Sequence, residues 1–100
     1  MVVDMKFIDF LENNREEVIS IAERHGVTSI KVFGSVARKQ DIQTSDVDFL
    51  VTTGSDVSAW FPAGLIVELE DVLGRSVDVV TIDGLNPMLR DHVLTEAVAL

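Results

Sequence analysis

Three aspartates sit among apolar, strand-forming residues. Asp46 and Asp48 lie in Ser45-Asp-Val-Asp-Phe-Leu-Val51, and Asp78 lies in Ser76-Val-Asp-Val-Val-Thr-Ile82. In an extended chain residues i and i+2 share a face, so Asp46 and Asp48 project together with Cα atoms about 6.6 Å apart. Val47, Phe49 and Val51 take the opposite face, towards a core. Two like charges at that spacing repel, and burying either without a partner is costly. Asp78, between Val77 and Val79, meets the same difficulty. If the two strands are neighbours, the three acids converge on one patch. Divalent cations then resolve the conflict, because carboxylates are hard oxygen ligands suited to Mg²⁺. Taken singly, Asp46 can merely close a polar loop and Asp78 can be a solvated edge residue. The three together point to a metal.

A second feature is Gly34-Ser35, where a short β-rich run (Ser29–Phe33) gives way to a single helical turn, Val36–Lys39. The start of a helical turn offers free backbone N–H groups and a positive dipole end, which suit a phosphate. Gly permits close approach, Ser adds a hydroxyl, and Arg38 with Lys39 beside it can reach the same anion. Alone, this reads better as a Ser N-cap followed by two solvated basic residues. Joined to the acidic pair on the next strand, it places a phosphate site beside a metal site. Nucleoside triphosphate–Mg²⁺ chemistry requires that combination.

The elements that carry these residues follow from periodicity. A helix is predicted over about 4–25, with Phe7, Phe10, Leu11, Val18, Ile21 and Ala22 on one stripe, Asp4 as N-cap and Gly26 as a left-handed terminator. Strands are predicted over 29–33, 47–53 and 76–82. A helix over about 62–73 starts at Pro62 and stops at Gly74. A last helix, capped by Asn86 with Pro87 at its start, runs through Met88, Val93, Leu94 and Val98. The order implies an α/β (α+β) fold, a small mixed three-stranded sheet flanked by helices.

At 100 residues the chain is read as one domain, residues 1–100. Apolar residues make up 47% and charged residues 25%, a globular composition. The net charge of −9 argues against coating a nucleic-acid duplex, whose affinity comes from clustered Lys and Arg. Direct nucleic-acid binding is therefore not expected. The absence of cysteine excludes disulfides, thiolate zinc sites and Cys nucleophiles. No uncharged run approaches the roughly 20 residues of a membrane span, and the N-terminus lacks a signal-peptide pattern. The chain reads as soluble and cytoplasmic. His25 and His92 fall on separate elements, so a metal pair is not expected. Trp60, Phe61 and Pro62 could stack on a base but read better as loop packing. Glu12, Glu16 and Glu17 read as a solvated helix face.

Gly34-Ser35, ten intervening residues and Asp46-x-Asp48 resemble the signature of the DNA polymerase β-like nucleotidyltransferase superfamily. Phe33-Gly-Ser-Val-Ala-Arg38 and Ser45–Val51 resemble the minimal nucleotidyltransferases (MNT proteins). So do Glu68–Val80 and Leu89–Val98, so the likeness covers nearly the whole chain. The resemblance implies that Asp46, Asp48 and Asp78 hold two Mg²⁺ ions and are the catalytic acids. It implies that Gly34, Ser35 and Arg38 bind the nucleotide phosphates. The implied reaction transfers AMP from ATP to a hydroxyl of a partner protein, and the implied partner is a HEPN-domain toxin that the chain neutralises as antitoxin. Two alternatives stay open: an antitoxin acting by binding alone, and a small-molecule transferase of the aminoglycoside-modifying kind. One position departs from the pattern. Lys39 stands where such proteins frequently have Gly, and a positive φ there would strain it.

Overall fold

The computed structural model describes residues 6–57 and 59–100. In chain order the elements are α1 (Phe7–Asn13), α2 (Arg15–Arg24), β1 (Val27–Phe33), α3 (Gly34–Ala37), β2 (Val47–Thr53), α4 (Ala63–Leu73), β3 (Val77–Thr81), a 3₁₀ turn (Ile82–Gly84), α5 (Pro87–Glu96) and β4 (Val98–Ala99). They build a four-stranded mixed sheet in the order β3-β2-β1-β4. β1 pairs antiparallel with β2 and with β4, whereas β2 and β3 are parallel. A parallel pair cannot be joined by a tight turn, and α4 supplies the crossover.

The alternation read from β2 places the core. Val47, Phe49 and Val51 are fully buried and cluster with Leu11, Val18, Leu65 and Leu69 from the helices. Burying a side chain the size of Phe49 stabilises the fold by about 1.5–3 kcal/mol. Asp48 lies on the other face of β2 and is half-buried. Leu50, two residues on, is also buried, so both faces of the central strand are largely covered.

Several expectations hold closely. β2 spans Val47–Thr53 as predicted. Gly26 has φ +83° and Gly74 φ +68°, the left-handed terminators expected after α2 and α4. Asn86 Oδ1 accepts the Met88 N–H at 3.0 Å, and Pro87 opens α5. Pro62 precedes α4 rather than opening it, after a cis Phe61–Pro62 bond.

Two further expectations are corrected. The predicted helix over 4–25 is broken at Asn14 (φ −109°, ψ 15°) into α1 and α2. The Asn14 side-chain amide donates to the Phe10 carbonyl at 2.8 Å, taking an acceptor at the helix end. Side chains of this kind compete with the helix for its own backbone. The expected cap Asp4 lies outside the described residues. The second correction concerns the sheet, which has four strands rather than three. The last helix stops at Glu96, Ala97 turns extended (φ −63°, ψ 136°), and Val98–Ala99 pair with Val32 and Lys31. Val98 therefore belongs to a strand. Two apolar residues are too few to show a strand period in sequence. Among the described residues, no helix is long and apolar enough to cross a membrane.

Candidate active site

β1 ends at Phe33, and Gly34 turns the chain with φ +76°. Only glycine takes that conformation freely. A second constraint acts here, because a Cβ on Gly34 would fall on Asp48 Oδ2. The missing side chain is what lets the turn and the carboxylate share this space. The α3 turn follows, with Phe33 as its N-cap residue and no side-chain cap. Ser35 is half-buried, and its hydroxyl does not cap the turn.

α3 ends in a Schellman arrangement: the Lys39 N–H donates to the Val36 carbonyl at 3.1 Å, and the Gln40 N–H donates to the Ser35 carbonyl at 2.9 Å. This closure requires a left-handed residue at Lys39, which has φ +60°. The anticipated strain is therefore present. The following loop is pinned twice. Ser45 Oγ accepts the Ile42 N–H at 2.9 Å. Asp41 Oδ2 accepts from Arg75 Nη1 at 2.8 Å, with side chains only 7% and 16% exposed. The Arg75 guanidinium also lies 4.0 Å from the Phe7 ring centroid, a cation–π contact. These contacts deliver the chain to Asp46 and the start of β2.

Asp48 then occupies the middle of the site. Its register partner on β1 is Phe33, the residue before Gly34, and its register partner on β3 is Asp78. Asp46 precedes β2 and is exposed, as is Asp78. Burial pushes the Asp48 carboxyl up from the ordinary aspartate value, and the charges of Asp78 and then Asp46 push it further. Arg38 acts in the opposite sense, and Glu96 adds to the rise. Asp78 and Asp46 thus act on Asp48 as like charges. A cation would relieve that repulsion, and the all-oxygen, anionic donor set suits a hard divalent ion such as Mg²⁺. Among the described residues, no three His, Asp or Glu side chains already close on a common point as a metal's ligands would. The donor chemistry fits Mg²⁺ without a preassembled cage.

Glu96, at the end of α5, is a residue the sequence reading did not assign. Its Oε2 accepts the Gly34 backbone N–H at 3.0 Å, and its Oε1 is ion-paired with Arg38 Nη1. Burial would raise its carboxyl, but the bonds from Arg38 and then from Gly34 outweigh it and hold it below the usual glutamate value. No local pattern points to this contact, which spans 62 positions of sequence.

The remaining candidates lie elsewhere. β2 starts at the carboxylates and ends at Thr53, opposite Val27, and Trp60 and Phe61 line a groove with His25, Asp56 and Gly64 beyond that far end. Phe61 packs on the core, in line with loop packing, whereas Trp60 is 82% exposed and departs from it. His25 Nε2 is 2.9 Å from Glu68 Oε1, which also accepts, through Oε2, from Arg24 at 2.8 Å. His92 is exposed on α5.

Residues 11–100 match the family described as nucleotidyltransferase domain. The chain belongs to this nucleotidyltransferase family. A Methanocaldococcus jannaschii protein, a proposed protein adenylyltransferase, is 43% identical over 84 residues, spanning 84% of this chain and 90% of that protein. The solved structure of a proposed minimal nucleotidyltransferase superposes with a TM-score of 0.84 at 40% identity, covering 99% of this chain and 100% of that one. The fold is also that of a solved complex between a tri-AMPylated Shewanella oneidensis HEPN toxin and its MNT antitoxin. There the TM-score is 0.66 at 20% identity, over 88% of this chain and 69% of that one. In this nucleotidyltransferase the strand after the Gly-Ser turn carries Asp48, with Asp46 just ahead of it, and the strand beside it carries Asp78.

Proposed function

We propose that this nucleotidyltransferase transfers AMP from ATP to a hydroxyl of a partner protein, a HEPN-domain toxin, and acts in the cytoplasm as the antitoxin of that pair. The observation that carries the reading is the position of Asp48. It stands between Asp78 on one neighbouring strand and the Gly34 turn on the other, so oxygen donors for a cation adjoin N–H donors for an anion. The relative named as a protein adenylyltransferase and the neighbour bound to an AMPylated HEPN toxin support the same chemistry.

In this reading Asp46, Asp48 and Asp78 hold Mg²⁺. When bound, the metal would neutralise the triphosphate and stabilise the charge that builds on the phosphoryl and leaving-group oxygens. Gly34 N–H, Ser35 Oγ and the Arg38 guanidinium bind and orient the β- and γ-phosphates, Arg38 with the planar fork that suits such oxygens. The acceptor hydroxyl oxygen forms a bond to the α-phosphorus as the α–β bridging bond breaks. Pyrophosphate leaves, and Asp78 takes the hydroxyl proton.

The test is to incubate the chain with the HEPN protein encoded beside it, ATP labelled in the α-phosphate, and Mg²⁺. The reading predicts label on that protein from α- but not γ-labelled ATP, and none with Asp46→Asn/Asp48→Asn. Neutralisation of the toxin by the double variant without label transfer would replace catalysis by occlusion. Label on an aminoglycoside instead would favour the small-molecule alternative.

A further inference from the structure

Glu96 sits on the two groups that the reading above gives to the triphosphate. Its carboxylate is only 12% exposed, while the Arg38 side chain it grips is 46% exposed. Carboxylate and phosphate oxygens present the same acceptor chemistry to a backbone N–H and a guanidinium. The anion seat at Gly34 and Arg38 is therefore filled by the chain's own carboxylate. We propose that Glu96 is an internal latch that stands in for the triphosphate and must leave the Gly34–Arg38 cradle before a nucleotide can occupy it. The inference rests on the nucleotide reading of that cradle and adds a closed state to it.

Two further features agree. Glu96 Oε2 bonds the N–H of Gly34, the residue that abuts Asp48 Oδ2, so a triphosphate arriving there would meet an anion already in the seat. The segment that carries it is also lightly anchored. α5 has Val93 as its one buried residue, β4 is two exposed residues held by two register pairs, and Leu100 beyond it packs on the core while only partly buried. Segments with few buried apolar contacts open at low free-energy cost. Displacement of the α5 end is thus easier than distortion of the Gly34 turn, which is fixed by β1 and by Asp48.

A latch lowers apparent affinity by the fraction of molecules whose seat is open. If about nine molecules in ten are latched, freeing the seat tightens nucleotide binding about tenfold. The experiment measures Mg²⁺·ATP affinity by calorimetry for the wild type, Glu96→Ala, Glu96→Gln and Asp91→Asn. Asp91 is exposed on the same helix and serves as the control for simple loss of one negative charge. Hydrogen exchange of residues 92–100 in the wild type, with and without Mg²⁺·ATP, reads the displacement directly without any substitution.

The latch predicts affinity about tenfold tighter in Glu96→Ala, an intermediate gain in Glu96→Gln, and a change under twofold in Asp91→Asn. It also predicts faster exchange over 92–100 when nucleotide binds. Unchanged or weaker binding by both Glu96 variants would overturn it, showing that Glu96 positions Arg38 while the nucleotide site itself stands. Equal gains in Asp91→Asn and Glu96→Ala, with no change in exchange, would reduce the effect to bulk charge and also overturn it. If neither wild type nor any variant binds Mg²⁺·ATP, the latch and the nucleotide reading fall together.

Discussion

Asp48 and Asp78 are register partners across the parallel β2–β3 pair, so the sheet itself holds two carboxylates side by side. Their separation is not left to flexible side chains on a loop. The same register on the opposite side of β2 brings Phe33, and with it the Gly34 turn, next to Asp48. One half-buried carboxylate therefore joins the acidic cluster to the anion seat.

That placement has a cost without a cation, and the cost depends on pH. The Asp48 carboxyl is raised in the folded state above its ordinary value of 3.8, so the fold holds its proton more tightly than the unfolded chain does. Stability is then lost as pH rises from that ordinary value through the folded value, the reverse of a salt-bridged carboxylate. Asp48→Asn should melt several degrees above wild type at pH 7.5 in EDTA. The gap should close as pH falls towards 4. Thermal denaturation of both proteins across that range checks it, and a variant less stable at neutral pH would mean that Asp48 is structural.

Gly34→Ala should be strongly destabilising, because it forces a left-handed conformation on an L-residue and drives a Cβ onto Asp48 Oδ2. The conformational part alone is about 1–2 kcal/mol. Urea unfolding should show a lower midpoint with an unchanged slope. Nucleotide binding should also be lost, since the backbone N–H must move with the turn.

Lys39 offers the opposite change. Its φ of +60° closes the α3 turn at a position that glycine occupies without strain. Lys39→Gly should raise stability by about 1 kcal/mol, measured by the same urea titration. Mg²⁺·ATP affinity should hold, because the carboxylates and Arg38 are untouched. A fall in stability would show that Lys39 makes a compensating contact.

The Arg75–Asp41 pair, nearly buried and stacked on Phe7, ties α1 to the loop that leads into Asp46. Arg75→Ala should cost about 2–4 kcal/mol, since it strands a buried carboxylate. Arg75→Ala combined with Asp41→Asn should recover part of that loss, which a double-mutant cycle measures.

The sequence made β2 legible because alternation separates Asp48 from Val47 and Phe49, and core burial then fixes the face. Gly34 and Asp78 were legible by type and spacing. The pairing of Asp48 with Asp78 was not, since nothing local dictates which strands become neighbours. Asn14 broke a helix that its flanking apolar stripe otherwise supports, through a side-chain bond to the backbone. β4 and Glu96 were illegible for a common reason. Both matter through pairing with residues far away in the sequence, at least 58 positions for Glu96, which no periodic pattern encodes.

Calorimetric titration of Mg²⁺·ATP into the wild type and into Asp46→Asn/Asp48→Asn, with both proteins shown to be folded, tests the site most directly. Saturable one-to-one binding by the wild type that requires Mg²⁺ and vanishes in the double variant is the predicted result. Equal binding by both proteins, or none by either, would contradict the assignment of these carboxylates to a metal–nucleotide site.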